Sequence, residues 1–352
     1  MSIADAFAPT DDRERCITLA HGSGGALMHE LIHEVFVGTF GAAPPGGLED
    51  QARLDLGGFS TGGDRLALTT DSYVVDPLFF PGADIGKLAV CGTVNDLAVG
   101  GAQPRYLSCG MIIEEGLPVA VLQRVAASMK QAADAAGVAI VTGDTKVVPR
   151  GAADKLFINT AGVGLIPAGI EIAAAQARPG DVLIINGHLG DHGAAIVDAR
   201  GELALEHHIE SDCQALNGLV AVMLAACADI HCLRDLTRGG LATVLNEFAR
   251  DSGVCLRIEE TAIPVRDPVR ALCEILGLDP LYLANEGKLL AVVPATASAA
   301  VLAAMQAHPA GQDSRIIGEV VERPAGRVIL ATAFGGERLV DMLVGEQLPR
   351  IC

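Results

Sequence analysis

Short runs of β-branched and aliphatic residues alternate along this chain with helical patterns, which predicts a mixed α/β fold in two domains. Three observations carry the prediction. Apolar strand patterns at 138–142 and 182–186 run straight into glycine-rich segments. The 352 residues are enough for two cores of ordinary size. Between about 167 and 180 the periodic pattern lapses around Pro167, Pro179 and Gly180. The expected division is a domain at 1–166, a second at 167–344, and a mobile tail at 345–352 that contains Gly345 and Pro349 and ends in Cys352.

Composition narrows the function classes. Half of the residues are hydrophobic but only 3% are aromatic, so the cores must rest on Ala, Val, Leu and Ile. A formal net charge of -18 repels phosphate backbones and argues against nucleic acid. The nine cysteines show no paired spacing, which suits free thiols in a reducing cytoplasm. No apolar run has the length and continuity to span a bilayer, so no membrane partner is expected.

In chain order, His21-Gly22-Ser23-Gly24-Gly25 precedes an amphipathic helical pattern. Glycines there allow close approach to a phosphate, and a helix start offers free N–H groups. The HExxH match His29-Glu30-Leu31-Ile32-His33 lies on the polar side of that helix and reads as solvated surface rather than a zinc site. A strand at 66–70 ends in Asp71, a position suited to a hard cation. The segment 86–104 is helical and rich in small residues, with Asn95 and Asp96 one turn beyond Cys91. Its beginning, with Lys87, falls one residue short of a phosphate-binding P-loop.

Strands follow at 106–113, 138–142 and 155–165, with a helix at 117–136, and Asp144 and Lys146 are expected in a glycine turn. The second half holds Val182 to Asn186 as a strand, then Gly187-His188-Leu189-Gly190-Asp191-His192-Gly193 as another phosphate-friendly turn into a helix. Asp235 ends a strand before Gly239 and Gly240 and a helix to Arg250. Cys227, His231 and Cys232 match no metal spacing. Glu286 lies in a turn before the strand 289–293; a helix at 296–308 and strands at 316–320, 328–330 and 339–344 complete the pattern.

The ordered motifs HGSGG, TTDS, KLAVCGTVNDLAVGGAQP, GDTKVV, RPGDVLIINGHLGDHG, RDLTRGG, NEGK and the final PRIC resemble the HypE family of [NiFe]-hydrogenase maturation over nearly the whole chain. The resemblance implies a synthetase-like fold with a β-barrel formed across a homodimer by the N-terminal domain and an α/β sandwich in the C-terminal one. It implies ATP and Mg²⁺ as cofactors. His21, Gly22, Ser23, Gly24, Gly25, Lys87, Asn95, Asp96, Asp144 and Asp235 are expected to line the nucleotide site, and Asp71, Asp96, Asp144 and Asp235 to hold the metal. Cys352 would receive a carbamoyl group from HypF and be dehydrated to a thiocyanate, with Lys146 neutralising charge and Glu286 taking a proton. The cyanide would pass to a HypC–HypD complex. Two other readings are a related synthetase or kinase acting on a diffusible substrate, and a non-catalytic carrier.

Overall fold

A computed structural model of the chain describes residues 15–22, 26–40, 65–201, 209–343, 348 and 351–352. After a single turn at Leu19–Gly22, a helix starts as α1 (Ala26–Leu31), widens through a π-helical stretch (Ile32–Val37) and ends as α2 (Gly38–Phe40). Leu31 and Val35 are buried, while Glu30, His33 and Glu34 face solvent. Glu34 accepts from Arg15 at 2.6 Å and from Gln123 at 3.1 Å, so this polar face is engaged in ordinary surface contacts.

Then come β1 (Arg65–Tyr73), the short hairpin β2 (Phe79–Phe80) and β3 (Ala83–Asp84), α3 (Ile85–Val99), β4 (Gln103–Glu114), α4 (Val119–Ala136), β5 (Ala139–Val148) and β6 (Leu156–Ile166). The four long strands form a sheet in the order β1-β6-β4-β5, in which only β4 and β5 are parallel. Helix α4 buries the stripe Leu122, Val125, Ala126, Met129 and Ala133, then stops at Gly137, whose φ of 70° a side chain would resist. Helix α3 is buried nearly all round, and a Cβ on Gly92 would stand 2.3 Å from the Tyr73 hydroxyl. Small residues thus bring this helix directly onto the sheet.

Two expectations change here. Asp71 is not the end of its strand, because β1 continues to Tyr73 in antiparallel pairing with β6. Asp144 and Lys146 are not in a turn, because β5 runs on to Val148 in parallel register with β4. Gly143 serves close approach, since a Cβ there would lie 2.4 Å from the Cys109 carbonyl oxygen.

The second half contains β7 (Val182–Ile185), α5 (Asp191–Ala199), α6 (Asn217–Ala226), β8 (Cys232–Asp235), α7 (Gly240–Ser252), β9 (Cys255–Glu259), α8 (Asp267–Leu276), β10 (Leu289–Val293), α9 (Ala295–Gln306), β11 (Arg315–Val321), β12 (Arg327–Ala331) and β13 (Glu337–Leu339). Its sheet runs β13-β12-β9-β11-β7-β10-β8. Strand β10 is apolar throughout because both faces are covered: Leu290 and Val292 join the core under α7, while Leu289, Ala291 and Val293 join the core under α6 and α9. Sequence patterning overlooks β9 and α8. The former is short and carries Arg257 amid its apolar residues, and its place between β11 and β12 is decided by pairing alone. The last strand, Glu337–Leu339, meets the predicted 339–344 segment only at Leu339.

The two halves meet where α3 approaches β8. Asn95 fastens this seam. Its Nδ2 donates to the carbonyls of Gln214 at 3.1 Å and Glu286 at 3.4 Å, and its Oδ1 accepts from Leu216 N at 2.7 Å.

Candidate active site

Four carboxylates converge at the seam. Asp71 faces α3 from β1, since it shares the inward register of Thr160 and Tyr73. Asp96 lies on α3 and accepts from the Thr69 hydroxyl at 2.9 Å. Asp235 closes β8, and Glu286 sits in the turn before β10 with only 3% of its surface exposed. Burial is the first cause that raises Asp96 above the usual carboxylate range, and neighbouring Asp71 adds to it. Burial likewise pushes Asp235 up to about 7, reinforced by Asp96 and Asp71. Glu286 is also raised well above its ordinary value: burial first, then Asp235, Asp212 and Asp71, all oppose its charge. Its Oε1 has no hydrogen-bond partner among the described residues. A buried cluster of like charges with an unsatisfied oxygen favours a cation or a proton. Among the described residues no group of three or more such side chains is arranged to hold a metal ion by itself, so a hard divalent ion such as Mg²⁺ would need further oxygen ligands, of the kind a triphosphate supplies.

Beside the cluster, the segment Ser211, Asp212, Cys213 threads between the halves. Asp212 Oδ1 accepts from Glu286 N at 3.0 Å, and its other oxygen lies 3.0 Å from the ammonium of Lys288 in a buried ion pair. The Cys91 thiol and burial together push the Cys213 thiol above its ordinary range. Lys87 donates to the carbonyl of Gly82 at 3.0 Å; at the start of α3 the Gly86 and Lys87 amides are capped by Asp84, so this helix start is already satisfied.

The tail ends in this neighbourhood. Ile351 is buried and Cys352 is half-buried against the first domain's core. The main-chain oxygen of Cys352 accepts from Val74 N at 3.0 Å, and that of Ile351 lies 2.6 Å from His192 Nε2. Sequence reasoning expected the thiol in an exposed place; packing of Ile351 and two main-chain contacts seat it instead.

Other predicted site residues stand apart. Asp144 and Lys146 project from the face of the sheet opposite α3, exposed to solvent, with Gly110 and Ile112 as register partners. His21 is buried, and its Nδ1 accepts from Thr18 N at 3.0 Å; the turn that bears it packs on β5. Gly22 closes the turn, whereas Ser23, Gly24 and Gly25 lie outside the described residues. Asn95 is spent on the seam. The glycine turn at 187–193 is also spent internally: Gly190 N donates to Asn285 Oδ1 at 2.7 Å and Gly193 N to Ala284 O at 3.0 Å. Gly240 is required because a Cβ would meet the Leu283 carbonyl oxygen at 2.5 Å. His231 is committed to Asp181 at 2.7 Å. Asp212, Lys288 and His192 were missed by sequence reasoning; the GDHG and NEGK motifs contain two of them, but nothing local marks their burial.

Sequence families agree with this architecture. Residues 48–166 match the AIR synthase related protein N-terminal domain, and 178–331 the C-terminal domain of the same class. The fold and seam therefore define an AIR-synthase-related protein. Carbamoyl dehydratase HypE of Rhodobacter capsulatus is 61% identical over 97% of this chain and 99% of its own length. A crystal structure of hydrogenase maturation protein HypE in complex with ATP superposes with a TM-score of 0.89 at 52% identity, covering 95% of this chain and 99% of that one. The HypE of a HypE–HypF complex gives 0.77 at 43% identity, covering 91% and 100%. The chain belongs to the HypE family of carbamoyl dehydratases.

Proposed function

We propose that this chain uses ATP to dehydrate a carboxamide carried on the Cys352 sulfur to a thiocyanate, supplying cyanide ligands for the iron of [NiFe]-hydrogenase. The observation that carries the reading is a short relay from tail to acid. The Ile351 carbonyl lies 2.6 Å from His192, His192 contacts Ser211, and the next residue, Asp212, takes the amide of Glu286, a buried acid whose Oε1 is unsatisfied among the described residues. Relatives named for this activity at high identity, and one solved with ATP, support it.

The difficulty in the chemistry is that oxide is a poor leaving group. Phosphoryl transfer from ATP to the amide oxygen makes that oxygen leave as phosphate, while the two N–H protons depart and the C≡N bond forms. ADP and inorganic phosphate are the other products. Phosphoryl transfer asks mainly for positioning and charge neutralisation. Glu286, whose surroundings raise its proton affinity, is the acceptor for a proton from nitrogen. Mg²⁺, when bound, would neutralise phosphate charge, held by Asp71, Asp96 and Asp235.

Asp144 and Lys146 reach the reaction through a second copy. Their face of the sheet exposes Leu66 (63%), Leu68 (74%) and Ile112 (43%), an apolar surface that a homodimer would cover. We place Asp144 among the metal ligands and Lys146 at the transferring oxygen from that partner. HypF loads the thiol, in keeping with the solved HypE–HypF complex, and a HypC–HypD complex receives the cyanide. The described residues contain no disulfide, which suits the cytoplasm, and among them no helix is long and apolar enough to cross a membrane.

Mass spectrometry of the C-terminal peptide tests the reading. After HypF, carbamoyl phosphate and ATP, the peptide should carry a carbamoyl adduct that loses water only when ATP is present. Cys352→Ser should carry neither. An adduct that persists unchanged with ATP would refute the dehydration.

A further inference from the structure

His192 has no part in the chemistry above, yet it is wholly buried on the first turn of α5, between the tail and the seam. Its Nε2 is 2.6 Å from the Ile351 carbonyl oxygen and its Nδ1 is 2.9 Å from Ser211 Oγ, which also accepts from Cys213 N at 3.1 Å. One proton arrangement satisfies all three contacts with a neutral ring. A carbonyl has no proton to give, so Nε2 carries the hydrogen. Ser211, whose oxygen already takes the Cys213 amide, gives its hydroxyl hydrogen to Nδ1. Phe80 holds the ring edge-on, 5.5 Å between centroids at 79°.

These contacts fix more than the ring. The Ile351 carbonyl belongs to the peptide that leads into Cys352, and Val74 N holds the next main-chain oxygen. The Cys352 backbone is thus gripped on both sides of its Cα. Ser211 orients the imidazole, and the following residue, Asp212, receives the amide of Glu286 at 3.0 Å. Val74, in turn, lies three residues beyond Asp71 on the chain leaving β1. The tail's grip therefore shares its supports with the base and with a carboxylate of the cluster.

We propose that His192, oriented by Ser211, is the positioning residue that docks the loaded tail: it sets where the Cys352 substituent stands relative to Glu286 and must let go when the thiol is loaded. This rests on the dehydratase reading above. A displacement of about 1 Å can cost about 100-fold in rate, so the clamp should appear in dehydration and not in loading.

The test compares wild type, His192→Ala and His192→Gln, each as full-length protein. Three rates are read on the C-terminal peptide: carbamoylation by HypF, ATP-dependent loss of water in a single turnover, and alkylation of Cys352 by iodoacetamide. In His192→Ala, dehydration should slow about 10- to 100-fold, loading should be no slower, and alkylation should quicken several-fold. Gln, whose amide N–H can take the place of Nε2–H, should restore most of the dehydration rate. Unchanged alkylation in His192→Ala would overturn the clamp. So would loading and dehydration falling together with Gln no better than Ala, because that is the signature of a damaged fold. If wild-type adduct loses no water with ATP, the dehydratase reading fails instead, and the alkylation comparison still decides whether His192 holds the tail.

Discussion

Asp71 and Asp144 lie on one sheet, and the register path from Asp71 through Thr160 and Cys109 arrives at Gly143, the neighbour of Asp144. That single step in sequence reverses the side of the sheet. Asp71 faces α3 and joins carboxylates whose ionisation its charge disturbs, while Asp144 and Lys146 face solvent on the side of the sheet that also exposes Ile112. The inner face is organised by one copy of the chain, through Asn95, Asp212 and the seated tail. The outer face has the residue types for catalysis but stands apart from the inner carboxylate cluster of its own chain.

The largest expected effect separates chemistry from scaffolding on the inner face. Glu286→Gln should slow loss of water by about 10²–10⁴-fold while leaving HypF-dependent loading in place, measured by adduct mass in a single turnover. Loss of both steps would mean that Glu286 only holds the seam. For the outer face, Lys146→Ala and Glu286→Gln should each dehydrate at no more than about a hundredth of the wild-type rate, and mixing them should restore about a quarter of wild-type activity if each site draws one residue from each copy. No recovery after verified subunit exchange would place both residues in one chain's site and break the comparison.

Smaller effects concern the seam itself. Asn95→Ala removes three contacts and leaves buried main-chain groups unpaired, so a loss of about 2–4 kcal/mol in urea unfolding is expected; a change under about 0.5 kcal/mol would show that the seam closes without it. The smallest effect is electrostatic. Because the Asp235 carboxyl is raised to about 7 from 3.8, the folded protein holds a proton there that the unfolded chain has released. Folding is therefore penalised as pH rises from about 4 to about 7, and the penalty persists above. In metal-free protein, Asp235→Asn should stabilise by about 1–3 kcal/mol near pH 8 and by much less near pH 4. Equal effects at both pH values would assign the gain to something other than charge.

Much of the scaffold was legible because period and punctuation are local. The stripe on α4 and its stop at Gly137 follow from residues within a few turns of one another, and so does the two-sided apolar run of β10. Legibility ended where pairing or packing decided. Gly143 looked like a turn and is a close approach; Asp71 looked like a strand end and is mid-strand. Gly190 looked ready for phosphate, but Asn285, 95 residues away, takes its amide. Asn95 reads as a ligand and proves to be a fastener.

By itself the sequence determined the alternation of strands and helices, the inventory of carboxylates, the thiol at residue 352 and, through its ordered motifs, the family. Local chemistry suffices for those, since period, residue type and spacing are carried along the chain. Only the tertiary structure decided which acids share a low-dielectric seam, which face of the sheet Lys146 occupies, and that His192 meets the tail. Those outcomes depend on strand register and interdomain contact, which bring together groups as far apart as His192 and Ile351, and nothing within either segment's own neighbourhood encodes the meeting.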